Sequence, residues 1–282
     1  MGMIYDRTTK TEYEDLQYGG KYLHFLYHNV IGRIFLKIFI LPFVSKLYGK
    51  YQNTKASAKK IESFVQKNHI DMSEYEEKEY QSFNDFFVRK KKQVFFDGDE
   101  KNFLAPADSK VMVYPITEDL KMNIKNSQYT LSDFLQNDEE IKQEFQNGYC
   151  VVFRLSVDDY HRYYFIDDGV EEKQYEIKGV LHTVSSFSEK EKIYAKNHRV
   201  CHYLDTKNFG KILYIEVGAM LVGKIHNYDV THFQRGQEKG YFEYGGSTVV
   251  LITNRRIEFD QDIVNNSNRN VETKVKVRRK DR

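Results

Sequence analysis

The sequence predicts an α+β fold, with N-terminal helices followed by a largely antiparallel β core. Three observations carry this reading. Apolar residues recur at helical spacing from residue 31 to about residue 93, among charged residues. From about residue 95 the period changes to short strand-like runs bounded by Gly, Asn and Asp. Finally, 282 residues with 40% apolar and 30% charged side chains suffice for one large domain or two small ones, which excludes wholesale disorder. The division drawn from these patterns is a helical region over 1–95 and a β-rich domain over 96–282.

The elements follow in order. Met1 to Arg7 lead into a polar stretch without the apolar centre of a signal peptide, so an intracellular protein is expected. Leu16 to Ile61 contain no Asp or Glu, whereas Lys21, Arg33, Lys37, Lys46, Lys50, Lys55, Lys59 and Lys60 are basic. Within that stretch lies IGRIFLKIFILPFVSKLYGK, residues 31–50, with Arg33 and Lys37 one helical turn apart and Pro42 ending or kinking the helix. Two readings fit it: a helix packed on its own domain, or a helix lying in a membrane interface and drawn there by anionic lipids. Residues 54–93 read as charged helices, with Thr54 or Ser57 as a cap and the FNDFF aromatics buried. Strands are expected at 111–116, 149–155, 174–184, 199–206, 211–225, 241–244 and 248–253, and the basic tail KVKVRRKDR as a solvated terminus.

Several function classes drop out. No apolar run reaches the roughly 18 residues of a spanning helix. Cys150 and Cys201 have no CxxC partner, and the histidines show neither HxH nor HExxH spacing, so no metal site is expected. A net charge of +2 says little about nucleic acid, because a basic footprint comes from clustering rather than from the sum.

Three stretches hold candidate chemistry. In GYFEYGGSTVVLIT, residues 240–253, Gly245-Gly246-Ser247 reads as a hairpin turn. Equally, it reads as a strained backbone that presents Ser247 to the preceding carbonyl at the mouth of a buried strand. In RLSVDDYHRYYFIDDG, residues 154–169, His161 is either a structural histidine or a base able to take and return a hydroxyl proton. In FLAPADSKVMVYPI, residues 103–116, Asp108 is either a turn former or the acid that orients such a base. Asp108, His161 and Ser247 are the residue types of a nucleophilic relay.

Taken together, these segments resemble the phosphatidylserine decarboxylase proenzymes, most nearly the clostridial-type bacterial group. The likeness rests on GR-x-F-L-K near the N-terminus, SFNDFFVRK (82–90), APAD (105–108), FRLSVDDYHRYYF (153–165), GVLHTV (179–184), KNHRV (196–200), VGAMLVGKI (217–225) and KGYFEYGGST (239–248). It implies that the chain cleaves itself between Gly246 and Ser247 into chains 1–246 and 247–282, which stay associated. Asp108 and His161 would assist, and Ser247 would become a covalent pyruvoyl group, the electron sink for decarboxylating phosphatidylserine to phosphatidylethanolamine. It further implies residence on the cytoplasmic face of the cell membrane, contact with anionic lipid, no nucleic-acid partner, and room for a homodimer.

This chain departs from the family pattern at three places. Ser109 stands where many members have Gly after PAD, Tyr164 replaces a second His, and the tail passes through Val277-Arg278-Arg279 rather than a glycine-containing close. Two rival classes are a serine hydrolase, whose GxSxG is missing here, and a membrane-binding protein that keeps the fold without cleaving.

Overall fold

The structure, a computed structural model, describes residues 2–15, 19–124, 127–135, 143–221, 224–245, 247–255 and 257–277. It is α+β, with one large and mostly antiparallel sheet, as the change of period predicts. The chain does not, however, open with helices. β1 (Met3–Asp6) and β2 (Thr11–Glu14) form one edge of the large sheet, and β1 runs parallel to β15 (Val271–Val275). The helical region expected over 1–95 is corrected accordingly. These strands are four residues long, too short for alternation to show, and their place is fixed by a partner at the far end of the chain.

Helices α1 (Gly20–His28), α2 (Val30–Phe39) and α3 (Pro42–Gln52) follow. Asn29 caps α2 by accepting from the Ile31 and Gly32 amides, and Pro42 opens α3 as its first residue, where a missing N–H costs nothing. Two bonds fix this pair to the rest of the molecule: the Leu181 amide donates to the Ile40 carbonyl at 2.8 Å, and the Leu221 amide to the buried Ser45 Oγ at 3.1 Å. Next come a 3-10 turn (Lys55–Lys60), α4 (Ile61–Lys67) and α5 (Phe83–Phe87). Neither Thr54 nor Ser57 caps a helix. The Ser57 hydroxyl donates to the Gln52 and Thr54 carbonyls and accepts from the Phe83 amide, joining α3 to α5. Ser82 caps α5, whose Phe83, Phe86 and Phe87 form a buried aromatic cluster with Phe64 and Tyr244.

The large sheet also contains β3 (Ser109–Pro115), β6 (Tyr149–Leu155), β8 (Gly169–Ile177), β9 (Arg199–Thr206), β10 (Gly210–Val217), β12 (His232–Phe233) and β14 (Ser247–Thr253). Their order is β12-β8-β9-β10-β14-β6-β3-β15-β1-β2. A small sheet of β11 (Ile225–Asn227), β13 (Glu238–Phe242) and β7 (Arg162–Tyr164) stands apart from it, as does the pair β4 (Lys121–Ile124) and β5 (Ser127–Thr130). The runs expected at 174–184 and 211–225 stop at Ile177 and Val217, so GVLHTV and the described residues between Val217 and Ile225 are connections. β14 lies in the middle of the large sheet, buried along its whole length between β10 and β6. Here the apolar run TVVLIT indicated the burial correctly.

Candidate active site

β14 starts at Ser247, paired with Leu155 at the end of β6. The strand that leads towards it, β13, is anchored at its end by the Phe242 amide, which donates to the His161 carbonyl at 3.0 Å. Segments 155–161 and 242–247 are thus joined at both ends and enclose a corner. His161 and Ser247 are buried there, and both carry a polar atom without a hydrogen-bond partner, His161 Nε2 and Ser247 Oγ. Thr248 Oγ1, on the next residue, is a third. Buried polar atoms rarely go unpartnered, and the His161–Ser247 pair marks a place held ready for chemistry rather than for stability; Thr248, next on the strand, points to the other face of the sheet. Gly246 lies outside the described residues. Gly245 has φ 135°, a conformation open essentially only to glycine, so the first glycine of the motif is required by the backbone.

The protonation of His161 follows from its neighbours. Nδ1 lies 3.0 Å from the Asp159 carbonyl, which can only accept, so Nδ1 carries the proton and Nε2 the free lone pair. Burial pushes the imidazole pKa down to about 3, with Arg89 and Lys110 acting the same way and the Asp159 carbonyl and Asp158 opposing. At neutral pH the ring is therefore an uncharged acceptor. Phe87 packs on it with ring centroids 4.2 Å apart and also touches Tyr244, so one aromatic from α5 steadies both walls.

Asp108 is beside this corner but does not hold the histidine. Pro106 accepts from the Tyr164 amide, and Lys110 Nζ lies 2.7 Å from Asp159, so the strand entry runs along the His161 loop. The Asp108 carboxylate itself lies 2.6 Å from Lys91 Nζ and accepts from the Val277 amide at 2.7 Å. The direct Asp108–His161 contact implied by a linear relay is corrected: a backbone carbonyl orients the ring. Tyr164 is buried, its hydroxyl 3.4 Å from that of Tyr160, and burial raises its pKa, leaving a phenol that keeps its proton.

Sequence reasoning missed three groups. Lys91 sits in a run of lysines that reads as a solvated face, yet it alone of the three is turned inward, next to the bridge between Tyr75 and Lys91. Asn84, buried inside FNDFF, accepts from the Tyr244 amide at 3.0 Å and donates to Asn53 Oδ1, fixing the approach to Ser247 from the helices. A polar residue amid three phenylalanines was the signal that could have exposed it. Arg154 on β6, buried, binds Glu272 of β15 through Nε at 2.9 Å and Asp15 at 2.7 Å. Among the described residues no group of His, Cys, Asp and Glu could hold a metal ion.

Comparison with known proteins decides the family. A family model described as phosphatidylserine decarboxylase matches residues 83–280. The chain belongs to the phosphatidylserine decarboxylase family. It is 50% identical over 279 residues to a protein of Clostridium acetobutylicum named phosphatidylserine decarboxylase proenzyme 2, covering 97% of this chain and 96% of that one. It is 37% identical over 289 residues to a phosphatidylserine decarboxylase proenzyme of Clostridium beijerinckii, with 98% and 96% covered. The corresponding figures for one of Clostridium tetani are 38% over 285 residues, with 96% and 95% covered.

Proposed function

We propose that the chain is a phosphatidylserine decarboxylase proenzyme that cuts itself between Gly246 and Ser247 and then decarboxylates phosphatidylserine. The observation that carries this is the buried pair of partnerless atoms, Ser247 Oγ and the lone-pair nitrogen of His161, at the head of a central strand. His161 Nε2 takes the Ser247 hydroxyl proton as the oxygen attacks the Gly246 carbonyl, and the amide nitrogen receives a proton as the link becomes an ester. Loss of the Ser247 α-proton then expels the Gly246 carboxylate and leaves a dehydroalanine. Water replaces its nitrogen, ammonia departs, and a pyruvoyl group caps the new chain. The site fits such a group: it is carried on a buried strand end beside the unpartnered Nε2 of His161. Once formed, that group supplies the electron sink for the carboxylate's departure. His161, released from its first task, then handles the proton at the substrate α-carbon. Asp108 acts at one remove, holding Lys91 and the 247–282 tail at Val277.

Peripheral attachment to the cytoplasmic face of the membrane is part of the same proposal. Among the described residues no helix is long and apolar enough to cross a membrane. Yet α2 and α3 expose Val30 at 80%, Ile34 at 61% and Phe43 at 72%, in a stretch with no acidic residue. A buried packing role would have covered them, so the interfacial reading is the one supported.

Intact-mass measurement tests the processing. The wild-type chain should give two species, the shorter starting at position 247 with a blocked N-terminus, while Ser247→Ala gives one. Two species from Ser247→Ala would remove the assigned cleavage site. Changing Lys37, Lys46 and Lys50 together to Glu should reduce sedimentation with phosphatidylglycerol vesicles severalfold while cleavage stays complete, because lipid attraction is worth about 1 kcal/mol per basic residue. Unchanged sedimentation would return α2 and α3 to a packing role.

A further inference from the structure

A cavity of ≈ 670 Å³ opens between α3 and the ends of β8, β9 and β10. Its position ties it to the candidate active site. Asn53 on its wall is hydrogen-bonded to Asn84, which holds the Tyr244 amide, and Glu243 on its rim is four residues before Ser247. On the other side, Pro42 and Lys46 of α3 connect it to the exposed apolar face that carries Phe43 and Leu47. The floor includes Leu181, Val200 and Ile225, and at Gly218 a side chain would press against Leu181 at 3.1 Å, so the lack of one keeps the space open.

Charge gives the cavity its chemical preference. Lys46 and Lys50 enter from α3, Lys178 follows β8, and Lys224 precedes β11. Among the described residues none of these four ammonium groups has a carboxylate within 4 Å (none takes part in any ion pair of the described residues). Two acidic side chains line the same space and each faces a histidine rather than a lysine: Glu176 lies 3.5 Å from His198, itself on the cavity wall, and Glu243 lies 2.6 Å from His226, so the four lysines outnumber the carboxylates. Four lysines around an apolar floor, with an exposed apolar face at one end and Glu243, four residues before Ser247, on the rim, match an amphipathic anion whose reacting end lies beyond its phosphate.

We propose that this cavity seats the phosphodiester of the lipid substrate, with Lys178 and Lys224 of the β core and Lys46 and Lys50 of α3 supplying the charge. The inference rests on the decarboxylase reading and adds the substrate subsite to it. It also gives α3 two jobs, because its apolar residues face outward while its lysines reach the headgroup.

The test measures initial rates of carbon dioxide release from short-chain phosphatidylserine in neutral detergent micelles, which removes attraction to a charged surface. Variants K178Q, K224Q and the pair are compared with the wild type and with K101Q, an exposed lysine outside the cavity. Each of the first two should raise KM about tenfold, the worth of one charge-assisted bond, with kcat within about twofold and both chains present by mass. K101Q should match the wild type. Glycerophosphoserine should compete for the wild-type enzyme more strongly than inorganic phosphate. Unchanged KM in both single variants, with an active wild type, overturns the subsite and leaves the decarboxylase reading intact. Competition by inorganic phosphate equal to that by glycerophosphoserine would reduce the cavity to a general anion site and equally overturn it. A cleaved wild type that releases no carbon dioxide refutes the decarboxylase reading instead.

Discussion

Acidification should leave self-cleavage running well below the pH at which an ordinary histidine would stop it. His161 is buried, its Nδ1–H is committed to the Asp159 carbonyl, and its pKa is depressed from 6.5 to about 3, chiefly by burial. At about 1.4 kcal/mol per unit, that shift corresponds to an energy on the order of 5 kcal/mol against charging the ring in the folded precursor. The sign follows directly. The unfolded chain takes up the proton near its reference pKa, whereas the folded chain resists until far lower. The stabilisation linked to His161 is therefore complete above about pH 6.5 and is lost as pH falls towards about 3. Over the same window Nε2 stays available as a base. Precursor made by cell-free synthesis and transferred to buffers between about pH 8 and about pH 5 should be cut at nearly constant rate, followed on a denaturing gel. His161→Gln should persist as a single chain at every pH. A rate that falls tenfold per unit below about pH 6.5 would show a solvated, titrating imidazole and refute the argument, and normal cleavage of His161→Gln would show that the base is another group.

Two further outcomes follow from the packing. Asp108→Asn should slow cleavage far less than His161→Gln, because Asp108 does not touch the ring. It should nonetheless lower the melting temperature, since breaking a buried pair such as Asp108–Lys91 costs about 3–5 kcal/mol; loss of cleavage equal to that of His161→Gln would restore a direct relay. In the processed molecule Leu251→Ala should lower the urea midpoint for release of fragment 247–282, with a cost of about 2–5 kcal/mol. Leu251 is fully buried on the strand inserted between β10 and β6, and an unchanged midpoint would mean that β14 does not hold the fragments together.

Local chemistry was legible in the sequence wherever a residue's neighbours in the chain decide its state. Apolar TVVLIT read as a buried strand, Pro42 as the end or kink of the helix before it, and the period as changing after the helices, because side-chain spacing alone sets which face can be buried. Ser247 at the mouth of that strand was likewise readable, since a glycine pair before a buried run leaves few other places for a hydroxyl. The tertiary structure alone decided who meets whom. β1 pairs with β15 across almost the whole chain, and Asp108 takes Lys91 and Val277 rather than His161. His161 is oriented by a backbone carbonyl, an atom every residue carries and no sequence pattern marks. The lysines of α3 reach those after β8 and before β11 only because Ile40 and Ser45 are bonded to Leu181 and Leu221. Composition and periodicity report which surfaces must be covered. The partner that covers them is chosen by chain closure over long separations, where many pairings satisfy the same pattern and only the packed molecule selects one.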